Sequence, residues 1–164
     1  MQVSLYDFLK HGKFGSLRLG SPRGAVLEEI CHPHYWAEKS VGVDVLQALR
    51  YDYPGLAIFF CDDEVICITV TVVPQNVETP MTWMDASFPC KTTLDEARIL
   101  LAEHGISYLE GVSLDGVPTA SIKTEGGVLL CTWREIEVRS LPDGSEEEFQ
   151  SPVLTVDTLV LQRN

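Results

Sequence analysis

Residues 56–73, LAIFFCDDEVICITVTVV, decide the fold, because two apolar runs flank a short acidic break. The runs 56–60 and 65–73 are rich in β-branched and aromatic residues, which favour strands. The break, Cys61 to Glu64, has the polarity and length of a tight turn. The stretch predicts a β-hairpin. Its acids, Asp62, Asp63 and Glu64, are expected to face water at the tip rather than bind a divalent cation.

The segment upstream, GSLRLGSPRG at 15–24, has the outline of a phosphate-binding loop before a helix. A P-loop needs a lysine after its second glycine, but here Gly20 is followed by Ser21 and Pro22. Proline also removes an N–H donor that a phosphate would use. The segment therefore predicts a capped helix start, with Ser21 as N-cap and Pro22 as the first helical residue.

Other local patterns extend the prediction in both directions. A short N-terminal helix is expected between Ser4 and Gly12, and residues 34–50 allow either a helix through Arg50 or a strand. The box Thr93-Leu94-Asp95-Glu96 predicts a second capped helix that ends at His104-Gly105. A second hairpin is expected at 119–134, around Glu125-Gly126-Gly127. Further strands are expected at 136–141 and 153–161.

Each half therefore predicts a capped helix followed by antiparallel strands. We expect an α+β protein in which two tandem repeats, residues 1–76 and 77–164, form a single compact unit over 1–164. The boundary falls in the polar, proline-flanked connection 74–80.

The amino-acid composition argues against some classes of function. The chain has 24 acidic and 12 basic residues, a net charge of −12 and a pI near 4.6. Such a surface repels nucleic acid and attracts basic proteins, although acidity also serves solubility alone. No apolar run reaches the length of a membrane span, and the first residues do not resemble a signal peptide. We expect a cytoplasmic protein that binds neither nucleic acid nor membrane.

The sequence gives little support for a catalytic, cofactor or metal site. Cys31, His32 and His34 offer three metal ligands, but no second ligand pair accompanies them, so exposed residues at a helix end are favoured. The other cysteines are expected to be reduced and structural. No Gly-x-Ser-x-Gly motif occurs. We expect no catalytic, cofactor or metal site, and no enzyme activity.

Binding residues are the remaining candidates. Trp83 lies between Met81 and Met84 in a polar connection and is expected to be exposed. The acidic run from Asp143 to Glu148 is expected to be a solvated loop that attracts a basic partner. The candidate partner-binding residues are Trp83, Asp143, Glu146, Glu147 and Glu148.

Gly15, residues 17–21, Arg23, Val26 and the stretch 59–65 match most of the pattern G-x-L-x-L-G-[MS]-x-R-E-E-V followed by F-x-D-D before a strand. Through these residues the first half resembles an uncharacterised bacterial family of immunity-type proteins. The organisation is also similar to β-lactamase inhibitory proteins and small outer-membrane-assembly lipoproteins. The chain lacks the lipobox of the lipoproteins and the signal peptide and disulfides of the inhibitors. The resemblance implies neutralisation of a toxin by protein binding.

The sequence thus predicts a non-enzymatic protein-binding module, an acidic immunity protein that occludes a basic toxin. Two alternatives stay open: a small enzyme or ligand-binding domain whose site is assembled through space, and a scaffold protein. The oligomeric state is left undetermined.

Overall fold

A computed structural model describes residues 3–30, 35–37, 49–53, 55–71, 92–111, 122–141 and 145–162. These residues form three helices and one antiparallel sheet, so the predicted α+β class is confirmed. The helices are α1 (Leu5–His11), α2 (Arg23–Ile30) and α3 (Leu94–Glu103). The strands are β1 (Tyr35–Ala37), β2 (Leu49–Tyr53), β3 (Leu56–Cys61), β4 (Glu64–Thr71), β5 (Tyr108–Glu110), β6 (Ile122–Thr124), β7 (Val128–Ser140) and β8 (Glu146–Gln162).

The strand order joins the two halves of the chain through their last strands. The eight described strands lie in the order β1-β2-β3-β4-β8-β7-β6-β5, and every neighbouring pair is antiparallel. The junction pairs Cys67–Thr71 of β4 with Thr158–Gln162 of β8. Hydrogen bonds between strands therefore link residues that lie some ninety positions apart in the sequence.

The helices cover one face of the sheet. Along β3, alternate residues are buried, as expected for a strand with one face against a core. Ile58, Ile68 and Leu159 supply that face, and they belong to the same cluster as Phe8 of α1 and Leu101 of α3. Burial of this apolar surface provides the main favourable free energy of folding.

Two of the three helix starts follow the prediction. Ser4 caps α1 by accepting from the Asp7 N–H, and Gly12 ends this helix in the left-handed conformation. Thr93 and Glu96 form the expected capping box of α3, and Gly105 follows that helix with φ +61°.

The helix α2 begins differently from the prediction. Ser21 does not cap it, because the Ser21 hydroxyl accepts from the backbone N–H of Arg18 at 3.0 Å. Pro22 bridges to Glu64, and the helix begins one residue later, at Arg23.

Both hairpins are confirmed, with their turns at 62–63 and 125–127. The predictions for other strands need correction. Residues 49 and 50 belong to β2 rather than to a helix, and β5 was not predicted. Strands β7 and β8 are also longer than expected, since β7 runs unbroken through residue 135 and β8 begins at Glu146.

Candidate functional site

The predicted binding residues fall into two groups. Trp83 and Asp143 lie outside the described residues, as do Cys31, His32 and His34. Glu146, Glu147 and Glu148 are the first three residues of β8, so the prediction that they form a solvated loop is wrong. Glu147 and Glu148 are nevertheless exposed, as that prediction required.

These glutamates lie on a two-stranded projection of the sheet. Among the described residues, strand β6 pairs with β7 at Leu129 and Leu130, and β4 pairs with β8 at 158–162. From Trp133 to Ser140, β7 pairs with β8 alone within the described part of the chain. Eight residues of strand extend about 25 Å, so the ribbon reaches well past the described parts of its neighbouring strands.

The outer half of this ribbon is the acidic arm, which we define as residues 136–141 and 145–150. Its ladder runs from Ile136 opposite Gln150 to Ser140 opposite Glu146. Its sequence contains four acidic residues and one basic residue, a net charge of −3. A projecting strand pair with this charge offers both backbone groups and an electrostatic field to a basic partner.

The base of the arm is marked by an irregularity. The register passes from Arg134 opposite Leu154 to Ile136 opposite Gln150, so residues 151–153 face Glu135 alone. Pro152 lies in this bulge, where the N–H that proline lacks is not needed for the ladder. The bulge separates the five-residue ladder of the acidic arm from the rest of the sheet.

The glycine-rich segment 15–24 does not form an anion site. The Gly20 N–H donates to the Val65 carbonyl at 2.8 Å, and the Arg23 N–H donates to the Asp63 carbonyl at 2.8 Å. In return, the Val65 N–H donates to the Ser21 carbonyl. The donors that a phosphate would need are therefore committed to the β3–β4 hairpin, and this segment acts as its clamp.

A second candidate surface is the sheet face opposite the core. One row of paired residues crosses six strands, from Ala57 through Thr69 and on to Lys123 and Leu109. Leu109 is 68% exposed. A shallow cavity of about 270 Å³ opens on this side, lined by Arg50, Tyr53, Gly55, Leu56, Ala57, Phe59, Thr69 and Thr71.

The cavity has the chemistry of a binding surface more than that of a catalytic centre. The Arg50 guanidinium carbon lies 5.3 Å from the centre of the Phe59 ring, a cation–π distance. Among the residues whose side chains the structure describes, the lining includes no His, Asp, Glu or Cys that would activate a threonine hydroxyl. Nearby, burial raises the pKa of the Cys67 thiol, which disfavours the nucleophilic thiolate.

In the described ranges, no three His, Cys, Asp or Glu side chains lie close enough together to hold a metal ion. The described cysteines, Cys61, Cys67 and Cys131, form no disulfide bond. His104 is engaged at the end of α3, where its ring stacks on Tyr6 at a centroid distance of 3.4 Å.

The sequence predicted only one of the two strands of the acidic arm. Alternation of apolar and charged residues at 136–140 correctly predicted a strand there. The glutamate run has low intrinsic strand preference and became a strand through its pairing with β7. The sequence also predicts a turn at Pro142-Asp143-Gly144-Ser145 between the strands 136–141 and 153–161, but β8 begins earlier than predicted, at Glu146.

Among the described residues, no helix has the length and apolarity needed to cross a membrane. Comparison of the chain with protein-family models, with curated proteins and with solved structures gives no match.

Proposed function

We propose that this chain is a non-enzymatic protein-binding module whose acidic arm binds a basic protein. The observation that carries the proposal is the arm itself, a ribbon that projects past its neighbouring strands and holds Glu147 and Glu148 exposed. The net charge of −12 acts in the same direction, because it accelerates encounter with a basic surface.

The biological role we propose is that of a cytoplasmic immunity protein that neutralises a bacterial toxin by occlusion. Two observations support it: the sequence resemblance of the first half, and the acidic surface. The proposal includes tandem α+β repeats at 1–76 and 77–164. In support, the four described strands of each half lie together in the sheet, and the two halves meet where β4 pairs with β8.

The test compares two variants of equal charge. Glu146→Gln, Glu147→Gln and Glu148→Gln together remove three charges from the acidic arm. Glu28→Gln, Glu103→Gln and Glu125→Gln remove three charges from exposed positions elsewhere. Binding to the purified product of the gene immediately upstream is then measured by calorimetry at low and high salt.

We expect the arm variant to bind about tenfold more weakly and with a shallower salt dependence, whereas the control variant stays close to wild type. Equal weakening of both variants would show that net charge acts without the arm. Unchanged affinity in both variants and at both salt concentrations would overturn the proposal.

The alternative function is that of a ligand-binding domain or a small enzyme with a site assembled through space. The cavity beside Arg50 and Phe59 favours it, since a cation over an aromatic ring suits an anionic or aromatic group. Screening of small carboxylates by NMR discriminates the two functions. Saturable shifts at the Arg50, Phe59 and Thr71 amides would support the alternative.

A further inference from the structure

The hydrogen-bond pattern of the acidic arm shows which backbone groups face outward. The Leu141 N–H donates to the Ser145 carbonyl at 2.8 Å, so these two residues form a hydrogen-bonded pair. Bonded and non-bonded pairs alternate along an antiparallel ladder. Glu147 opposite Arg139 is therefore the next bonded pair, and Glu148 opposite Val138 is a non-bonded one.

On β8, the outward-facing N–H and C=O groups are consequently those of Glu146, Glu148 and Gln150. Strand β4 pairs with the same side of β8, but only from Thr158 to Gln162. Within the described residues, no other strand pairs with this edge between 146 and 150. Three donors and three acceptors are thus presented in a row about 15 Å long.

The charge along this edge selects the kind of strand that fits it. Glu147 and Glu148 are neighbours on one strand and both are exposed, so they project from opposite faces of the ribbon. A partner strand with basic residues on only one face would satisfy one glutamate and leave the other. Consecutive basic residues, which also alternate between faces, would meet both.

We infer that the arm binds by strand addition: an extended segment of the partner, with consecutive lysines or arginines, pairs with β8 along residues 146–150. The inference rests on the proposed function and specifies how the basic partner is held. Main-chain hydrogen bonds supply part of the affinity, and the glutamates select a basic segment. The added strand stops before Pro152, which has no N–H to offer and lies in the bulge.

A second copy of this chain is a poorer occupant of the same edge. Two β8 edges side by side would bring two runs of three glutamates together, and like charges on adjacent strands are destabilising. The outer edge of β7 is also less selective, since Arg139 lies among its residues 136–140.

The test is amide hydrogen exchange of the full chain, followed by NMR with and without a synthetic basic peptide. The peptide carries consecutive lysine and arginine residues flanked by valine and threonine. In the free protein, the Glu147 and Phe149 amides, which face β7, should exchange slowly, and those of Glu146, Glu148 and Gln150 rapidly. Saturating peptide should slow the latter three by about tenfold or more.

The control is the same peptide with every backbone nitrogen methylated, which keeps the charge and removes the donors from both edges of the strand. It should give no protection at Glu146, Glu148 and Gln150. If the unmodified peptide shifts the arm resonances while these three amides stay rapid, strand addition is wrong and the electrostatic function survives. If no arm resonance shifts with either peptide, both fail. If the three amides are already slow without peptide, the edge is occupied within the chain and the inference is overturned.

Discussion

Backbone hydrogen bonds hold both hairpins of this protein in place, but the two turns differ in the space that they leave for side chains. The β3–β4 turn is exposed and uses two aspartates, Asp62 and Asp63, both with positive φ. The segment 20–23 clamps it from outside through backbone hydrogen bonds to Asp63 and Val65. The β6–β7 turn contains Gly126 and packs directly against the end of α1.

The second turn is a contact between backbones. The Gly126 N–H donates to the Leu9 carbonyl at 3.3 Å, and the Thr124 hydroxyl donates to the same carbonyl. A Cβ on Gly126 would lie 2.6 Å from the Gly12 nitrogen and 2.6 Å from the Leu9 oxygen. The first turn thus leaves room for side chains, whereas the second has none at Gly126. The stability of the two hairpins should respond very differently to single substitutions.

Gly126→Ala should have the largest effect. The new methyl group would overlap the backbone of α1 and Gly12, and the turn and the helix would have to separate. Overpacking against rigid backbone costs about 3 kcal/mol. Urea unfolding followed by circular dichroism measures the loss.

Gly24→Ala is the matched control, because a Cβ on Gly24 in α2 meets nothing within 4 Å. It should leave stability unchanged or raise it by about 0.5 to 1 kcal/mol, since alanine is the better helix former. Equal stability of Gly126→Ala and wild type would show that α1 is not in contact with this turn.

Thr124→Val should have the next largest effect on the same contact. Thr124 is buried, and its hydroxyl donates to Leu9 and accepts from the Val128 N–H at 3.3 Å. Valine keeps the shape and leaves the Val128 N–H without that acceptor, which costs about 2 kcal/mol. Thr124→Ser, measured by the same unfolding experiment, restores the hydroxyl and should recover part of the loss. Identical stabilities for the Val and Ser variants would rule out the hydroxyl as the cause.

The sequence predicted correctly those features that depend on interactions between residues close together in the chain. Gly12, Thr93 and the acids at 62–63 act on residues a few positions away, and their predicted roles were confirmed. Ser21 failed as an N-cap because its hydroxyl accepts from the Arg18 N–H, while its carbonyl accepts from the Val65 N–H of the β3–β4 hairpin, some forty residues downstream. The strand at Glu146 failed for a similar reason, since pairing with β7 overrides its low strand preference.

The starts of α2 and α3 differ in the same way. Backbone hydrogen bonds to the distant β3–β4 hairpin hold the start of α2, whereas Thr93, the residue just before α3, caps that helix. Thr93→Ala removes both the hydroxyl that accepts from the Glu96 N–H and a donor to the Glu96 carboxylate. Loss of such a cap costs about 1 kcal/mol. Thr93→Ser keeps the cap and should behave as wild type in thermal unfolding. A Thr93→Ala protein with an unchanged melting temperature would mean that α3 is fixed by its packing alone.

The same substitution should alter the response to acid. The hydrogen bonds from Thr93 lower the pKa of Glu96 in the folded state below its ordinary 4.5. The folded state therefore binds fewer protons than the unfolded state, and this stabilisation is present above the unfolded pKa and fades as the pH falls through the folded one. Thr93→Ala removes the hydroxyl but keeps the backbone N–H, which has the larger effect on this pKa, so it should flatten the decline in stability below about pH 4.5 only in part. Since Glu96 is fully exposed, the change is a small slope, read best by comparison with Glu96→Gln.

The smallest effect should come from the side-chain pair of the clamp. Arg23 Nε lies 3.1 Å from an Asp63 carboxylate oxygen, but the Asp63 side chain is largely exposed and that of Arg23 is partly exposed. Exposed pairs of this kind contribute about 0.5 kcal/mol or less, and salt screens them. Asp63→Asn and Arg23→Gln, alone and together, form a double-mutant cycle in which asparagine still tolerates the positive φ at position 63. The expected coupling energy is near zero at high salt, because the Arg23 N–H keeps its bond to the Asp63 carbonyl in every variant. A coupling above about 1 kcal/mol would instead place the strength of the clamp in its charges. The stability of the first turn would then depend on the charged side chains of Arg23 and Asp63, whereas that of the second depends on Gly126 having no side chain.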